Sequence, residues 1–133
     1  MRRIGDEAAG AMMGVTLLSV DAAELGDRAL VDSLLPYSYR AHVHGPFLVL
    51  SETPTNKAFD FLTGAGGFLQ QVIFGYTGLR LENTGLVPAF KPVLPSRIRQ
   101  LVLRNIQVRG KHYDVIVDAA GRRMVPHREP PPR

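Results

Sequence analysis

Phe61-Leu62-Thr63-Gly64-Ala65-Gly66-Gly67-Phe68-Leu69-Gln70, running on through Gln71-Val72-Ile73-Phe74-Gly75-Tyr76 to Gly78, is the stretch on which the fold turns. A threonine is followed by small residues and then by an apolar run. Thr63 predicts an N-cap, because its hydroxyl can accept from one of the helix-start N–H groups that have no intrahelical partner. The helix is expected from about Ala65 to Tyr76, burying Leu69, Val72, Ile73 and Tyr76, with Gly75 or Gly78 at its exit. Gly66 and Gly67 each cost such a helix roughly 1 kcal/mol relative to alanine. That cost is tolerated where another helix or a ligand must come close to the backbone. Thr63, Gly64 and Gly66 therefore have two readings, ordinary capping and packing, or N–H groups offered to an anion or another acceptor on a ligand.

Upstream, Met12, Val15, Leu18 (with Leu17 beside it) and Ala22 recur at steps of three and four, which predicts a helix over 8–25. Gly26 would stop it. Asp27 would cap a second helix from Arg28 to about Leu35, with Leu30, Val31 and Leu34 inward and Pro36 at its end. Together they read as a helical hairpin. Phe47-Leu48-Val49-Leu50 follows Gly45-Pro46 as a compact apolar run, and residues 37–50 read as a loop descending into a core followed by a short extended segment. Residues 51–60 are polar, contain Pro54 and Asn56, and read as a loop.

Downstream of Gly78 the texture becomes β. Leu79-Arg80-Leu81 alternates, Gly85 makes a turn, and Pro88, Pro92 and Pro95 break an irregular stretch. Residues 98–108 carry Ile98, Val102, Ile106 and Val108 near period two. Arg109-Gly110-Lys111 predicts a hairpin turn into Tyr113–Val117, and Ala119-Ala120-Gly121 a turn into a last strand, 122–125. Residues 126–133 are rich in proline and charge and are expected to be disordered. Helices first and a small antiparallel sheet after them make an α+β chain, or the border of two domains. The division expected is 1–78 helical, 79–125 sheet, and 126–133 tail.

Composition narrows the partners. The 133 residues hold 45% hydrophobic and 21% charged side chains, ordinary for a folded chain of one domain or a piece of a larger one. With no cysteine, disulfides and thiolate metal sites are excluded. The absence of tryptophan is unusual for a complete carbohydrate enzyme, since sugars commonly stack on aromatic faces. The net charge is +4, and nine of the sixteen Lys and Arg lie from Arg97 onward. These are interleaved with strand-forming residues, with no recognition helix, zinc finger or RNP-like aromatic pattern, so no nucleic-acid partner is expected. The start superficially suits a signal peptide, but Asp6 and Glu7 sit where positive charge is wanted and Gly10 and Gly14 weaken the apolar stretch. No segment reaches the ~18–20 apolar residues of a membrane span, so no membrane partner is expected.

The blocks Phe61-Leu62-Thr63-Gly64-x-Gly66-Gly67-Phe68-Leu69-Gln70 and Phe74-Gly75-Tyr76-x-Gly78-Leu79-Arg80 resemble the end of the helical barrel in glycoside hydrolase family 65. Gly85-Leu86-Val87-Pro88-x-Phe90-x-Pro92-Val93-Leu94-Pro95 is similar to that family's transition into its C-terminal sheet module. Pro46-Phe47-Leu48-Val49-Leu50-Ser51-Glu52 is similar to the segment carrying the catalytic base of its hydrolases, and Thr55-Asn56-Lys57-Ala58-Phe59 leans toward the fungal acid trehalases. The resemblance covers residues 11–118.

The resemblance implies terminal helices of an (α/α)6 barrel followed by a small antiparallel β module, a fragment of a larger enzyme. It implies hydrolysis of an α-glucoside such as trehalose with inversion, without metal or cofactor. Inversion needs one carboxylic acid to protonate the leaving oxygen and one carboxylate to activate water, typically ~6.5–9.5 Å apart. By resemblance Glu52 is the general base, and Thr63, Gly64, Gly66 and Gln70 are substrate-binding. The bland reading of Glu52 is a solvated loop carboxylate. The family's general acid lies far upstream, and Glu7, Glu24 and Glu82 do not replace it. The chain alone is therefore expected to be inactive, to need an N-terminal barrel portion, and to expose barrel-facing helix surfaces.

Other readings stay open. The family's phosphorylases use the corresponding helix start to help hold phosphate, and Glu52 favours water because a negative base would repel phosphate. A non-catalytic remnant that binds sugar is a further alternative. Ser51 and Leu50 stand where many relatives carry more aromatic residues. His42 and His44 lack a third metal ligand and are expected to line the cleft or its rim. Gln70 and Gln71 face opposite sides of the helix, and either could reach a sugar hydroxyl. The parent type is commonly secreted, vacuolar or wall-associated, although no address is written in the chain.

Overall fold

The computed structural model describes residues 10–55 and 58–128. Helix α1 (Met12–Glu24) buries Met12, Val15, Thr16, Ser19, Ala22 and Ala23, a stripe at helical spacing. It closes on a Schellman arrangement: Asp27 N–H donates to Ala22 O, Gly26 N–H donates to Ala23 O, and Gly26 takes φ +74. Helix α2 (Arg28–Leu34) starts where expected, with the Asp27 carboxylate accepting from Leu30 N at 2.9 Å. Val31 and Leu34 are buried, and the helical hairpin stands.

The chain then runs irregularly to a minimal hairpin, β1 (Val43–His44) with β2 (Val49–Leu50). Val49–Leu50 is the short extended segment expected, but the start of the apolar run does not enter the core. Phe47 is 86% and Leu48 72% exposed, because both form the tip of this hairpin, outside the core.

Helix α3 (Leu62–Gln70) continues directly as a π-helical turn, Gln71–Tyr76. It begins at Leu62, three residues earlier than predicted, and Thr63 is not its cap. Phe61 occupies that position with no side-chain cap bond, and its N–H is held by Leu50 O at 3.0 Å. Leu69 is also corrected, being 58% exposed. Tyr76 is buried as expected and Val72 packs against the core, but the buried face also takes in Gly64, Gly67, Gln71 and Gly75, which leaves Leu62 and Leu69 outside.

Those glycines decide how α1 and α3 meet. A Cβ on Gly64 would lie 2.9 Å from Met12 Sδ, one on Gly67 would run into the Thr16 side chain, and one on Gly75 would sit 3.4 Å from Val20 Cα. The contacts advance in the same direction on both helices, so α1 and α3 are parallel and their N-termini lie at the same end. The close approach expected of the glycines is that of another helix.

The sheet side follows the sequence in part: Gly85–Pro88, read there as a turn and the start of an irregular stretch, is itself a strand. β3 (Leu79–Glu82) pairs with β4 (Gly85–Pro88), and residues 89–100 form no strand. β5 (Leu101–Val108), β6 (Lys111–Asp118) and β7 (Gly121–Pro126) form an antiparallel sheet. Arg109 and Gly110, both at positive φ, make the two-residue turn between β5 and β6. Val102 is 39% exposed, contrary to the alternation drawn from Ile98. A bulge between Leu103 and Ile106 shifts the phase, so Leu101, Leu103, Ile106 and Val108 face inward. Order also extends beyond 125: Pro126 ends β7, and His127 N–H donates to His112 O. Residues 129–133 lie outside the described residues.

One core spans both halves, with Val15, Ala22, Val31, Leu34 and Tyr76 from the helices against Leu79, Leu94, Val115 and Val117. Polar ties stitch the junction. Arg122 Nη1 donates to Thr77 O and Phe90 O, and Ser96 donates from both N–H and hydroxyl to the Asp32 carboxylate. Arg80 pairs with Glu24 at 2.8 Å and lies over the Phe90 ring. The result is α+β, as expected. No helix of the described residues is long and apolar enough to cross a membrane.

Candidate functional site

Glu52 sits at the shared N-terminal end of the parallel helices. Its carbonyl accepts from Met12 N at 2.9 Å and so does the work of a cap for α1, whose Ala11 offers no side-chain bond. Its own N–H donates to Ala58 O at 3.3 Å. Ser51 bridges to Phe59, and Phe61 N–H reaches Leu50 O, so the loop that leaves at Glu52 returns directly into the start of α3. Both helix N-termini, with their partial positive charge, are thereby brought to one carboxylate-bearing loop.

The flanking residues are tightly held. Ser51 is fully buried, and its hydroxyl donates to Thr53 O at 2.7 Å and meets His44 Nε2 at 2.9 Å. The His44 ring stands edge-on to Phe59 at 5.4 Å. His42 is buried rather than at a rim, 1% exposed, and burial lowers its pKa below the ordinary histidine value. No group of three or more His, Cys, Asp or Glu among the described residues could hold a metal ion.

The other sequence candidates are distributed around α3. Thr63 is exposed in its first turn. Gly64 is buried against Met12, whereas a Cβ on Gly66 would meet nothing within 4 Å. Gln70 is exposed. Gln71 is fully buried, and its amide donates to the Tyr76 hydroxyl within the π-helical turn, so of the two glutamines only Gln70 is open to solvent. Thr63, Gly66 and Gln70 thus share an exposed helix with Glu52 near its start, while Gly64 serves the helix contact.

Among the described residues, cavities of 340–590 Å³ border the sheet side. The largest is lined by Arg28, Ser96, Arg99 and Asp118, far from the Glu52 loop in the fold. Cavity size is therefore a poor guide here, and the geometry of the loop carries the assignment. Sequence reading missed the Ser51–His44 pair.

No protein-family model matches the chain. Over 78 residues, 59% of the chain, it is 42% identical to a protein-glucosylgalactosylhydroxylysine glucosidase of Dictyostelium discoideum, covering 11% of that protein. Over 76 residues, 57% of the chain, it is 36% identical to a kojibiose hydrolase of Flavobacterium johnsoniae, again covering 11%. Over 107 residues, 67% of the chain, it is 35% identical to a periplasmic/secreted acid trehalase of Candida glabrata, covering 8%. The chain spans about a tenth of the length of the curated relatives it matches. These homologues are glycosidases of the glycoside hydrolase family 65 type, and this chain is their relative by sequence.

Proposed function

We infer that this chain is a catalytic piece of an inverting α-glucosidase in which Glu52 is the general base. It comprises the terminal helices of an (α/α)6 barrel and the sheet module after them. In this reading the ionised carboxylate accepts a proton from water as its oxygen attacks the anomeric carbon of a terminal glucose. The leaving oxygen takes its proton from a second carboxyl, about 6.5–9.5 Å from the first, supplied by barrel segments beyond these residues. Thr63, Gly66 and Gln70, on the exposed part of α3, contribute hydroxyl contacts, and Gly64 lets α3 sit against α1. No cofactor takes part.

The observation that carries the reading is the convergence of α1 and α3, parallel and N-terminus first, on the loop whose backbone Glu52 pins. Parallel neighbours linked by a returning helix, here α2, are what a barrel of helical hairpins requires of its inner ring. The substrate is an α-glucosyl disaccharide or disaccharide unit, the feature shared by the named substrates of the relatives. Acid trehalase was the sequence expectation. The glucosylgalactosylhydroxylysine glucosidases match at 34–42% identity and an acid trehalase at 39%, so a glucosyl-galactosyl unit stands beside trehalose.

The test is a chimera in which residues 11–118 replace the matching segment of the Candida glabrata acid trehalase or the Dictyostelium glucosidase. Hydrolysis releasing inverted glucose is expected, and Glu52→Gln should cut kcat by at least ~10²–10⁴. A chimera that loses nothing on that change has its base elsewhere. The chain alone should turn over neither trehalose nor kojibiose at acidic or neutral pH, and Glu52-dependent turnover by it would overturn that part. A second reading, a non-catalytic sugar-binding piece, predicts glucoside binding by the chain that Glu52→Gln leaves intact.

A further inference from the structure

The hydroxyl of buried Ser51 faces three groups: Thr53 O at 2.7 Å, His42 O at 3.4 Å and His44 Nε2 at 2.9 Å. A hydroxyl has one proton to give and two lone pairs to receive with. The two carbonyls can only accept. Turning the proton toward His44 would leave the Ser51 and Thr53 oxygens 2.7 Å apart with lone pair against lone pair. The proton therefore goes to Thr53 O, and His44 must be the donor, with its neutral ring protonated on Nε2.

We propose that His44 is a positioning residue for Glu52, acting through the Ser51 hydroxyl. This rests on the reading of Glu52 as general base. Ser51 precedes Glu52 and Thr53 follows it, so the hydroxyl closes a small ring around the intervening residue. Glu52 N–H is taken by Ala58 O and its carbonyl by Met12 N, which fixes both peptide planes. With both planes set, the direction of the Cα–Cβ bond is set as well. The His44 donor locks the serine rotamer on which that ring depends, and the edge contact with Phe59 holds the imidazole plane. A base needs its carboxylate within a few tenths of an ångström of a productive place, and such indirect support is how a loop can provide it.

The experiment uses the full chain and isotope-edited NMR. The neutral His44 ring should carry its proton on Nε2. His44→Phe keeps a ring beside Phe59 but removes the donor. It should raise amide exchange at Glu52 about tenfold, the loss expected for one buried hydrogen bond, and average the Glu52 χ1 couplings over rotamers. His44→Gln returns an N–H donor at similar reach and should restore both to wild-type values. Ser51→Ala is the second route to the same loss, should the phenylalanine variant fail to fold. A neutral ring protonated on Nδ1, or a donor-free variant with unchanged Glu52 exchange and couplings, overturns the proposal. None of these readouts involves hydrolysis, so they are independent of whether the chimera shows Glu52 to be the base.

Discussion

The helical end and the three-stranded sheet close their surfaces in opposite ways. On β5–β7 the outer face exposes Val102 and Val125 at 39% and 38%, and its polar groups engage one another. Asp118 holds Arg123 at 2.6 Å, and Asp114 accepts from Asn105 N–H and faces His127 Nδ1 at 2.7 Å. On the helical side Leu62 is 82%, Leu69 58% and Phe47 86% exposed, while small residues fill the contact between α1 and α3. The sheet has the surface of an element meant to face water. The helices meet through their smallest residues, bury Met12, Leu34 and Tyr76 in the core, and leave Leu62 and Leu69 outside it.

The largest expected effect tests whether the two regions are truly one body. Arg122 and Arg123 are adjacent, yet one points into the junction and the other into solvent. Arg122→Met removes two charge-assisted bonds and leaves the Thr77 and Phe90 carbonyls without that donor, which should cost about 3 kcal/mol. That corresponds to a fall of about 10 °C in Tm. Arg123→Ala loses only an exposed, solvent-screened pair with Asp118 and should lower Tm far less than Arg122→Met. Equal effects from the two would mean that the sheet and helices are not joined through Arg122.

A second contrast lies within α3. Gly67→Ala drives a methyl into Thr16, whose hydroxyl is bonded to Met13 O and whose Cβ would lie 3.3 Å away, so α1 and α3 must separate. About 2 kcal/mol of destabilisation is expected, the usual cost of overpacking. Gly66→Ala meets nothing within 4 Å and should stabilise by up to about 1 kcal/mol. Thermal melts of the two variants should therefore move in opposite directions. A Gly67→Ala variant at wild-type stability would break the glycine account of the helix contact.

These two contrasts also mark how far the sequence could be read. Asp27 as a cap, Gly26 as a stop and Arg109-Gly110 as a hairpin turn were legible because each is a local rule met by local residues. The strands at 101–108, 111–118 and 121–126 followed from the same punctuation. Val102 was misread because a bulge at 103–106 changes the phase of alternation, and nothing in the residues announces it. Thr63 was misread because long-range bonding of Phe61 to Leu50 starts the helix early, overriding the better cap. Leu69 and the Phe47-Leu48 tip failed together: hydrophobicity was taken to mean burial, and here it means an outward apolar face. The base role of Glu52 came only from family resemblance, and its place beside both helix starts was not foreseen. Its backbone anchors come from Met12 and Ala58, and the former lies forty residues away in sequence.

The smallest effect separates the regions by pH. In the helical half, burial lowers the His42 pKa, so the fold favours the neutral ring. The stability this represents is fully present above the unfolded value of about 6.5 and is lost as pH falls through and below it. In the sheet, the Asn105 N–H bond lowers Asp114 and the Arg123 bond lowers Asp118. Their contribution is present above the unfolded carboxylate value of about 4 and is lost as pH falls toward the depressed folded values. Acidification from neutral to about pH 5 should therefore loosen amides next to His42, such as Ser51, before those of Val115 and Val117. His42→Gln should remove that early slope and leave the later one. Simultaneous loosening of both sets would show that the Glu52 loop and the sheet open as one unit, and the difference drawn between them would then concern their surfaces alone.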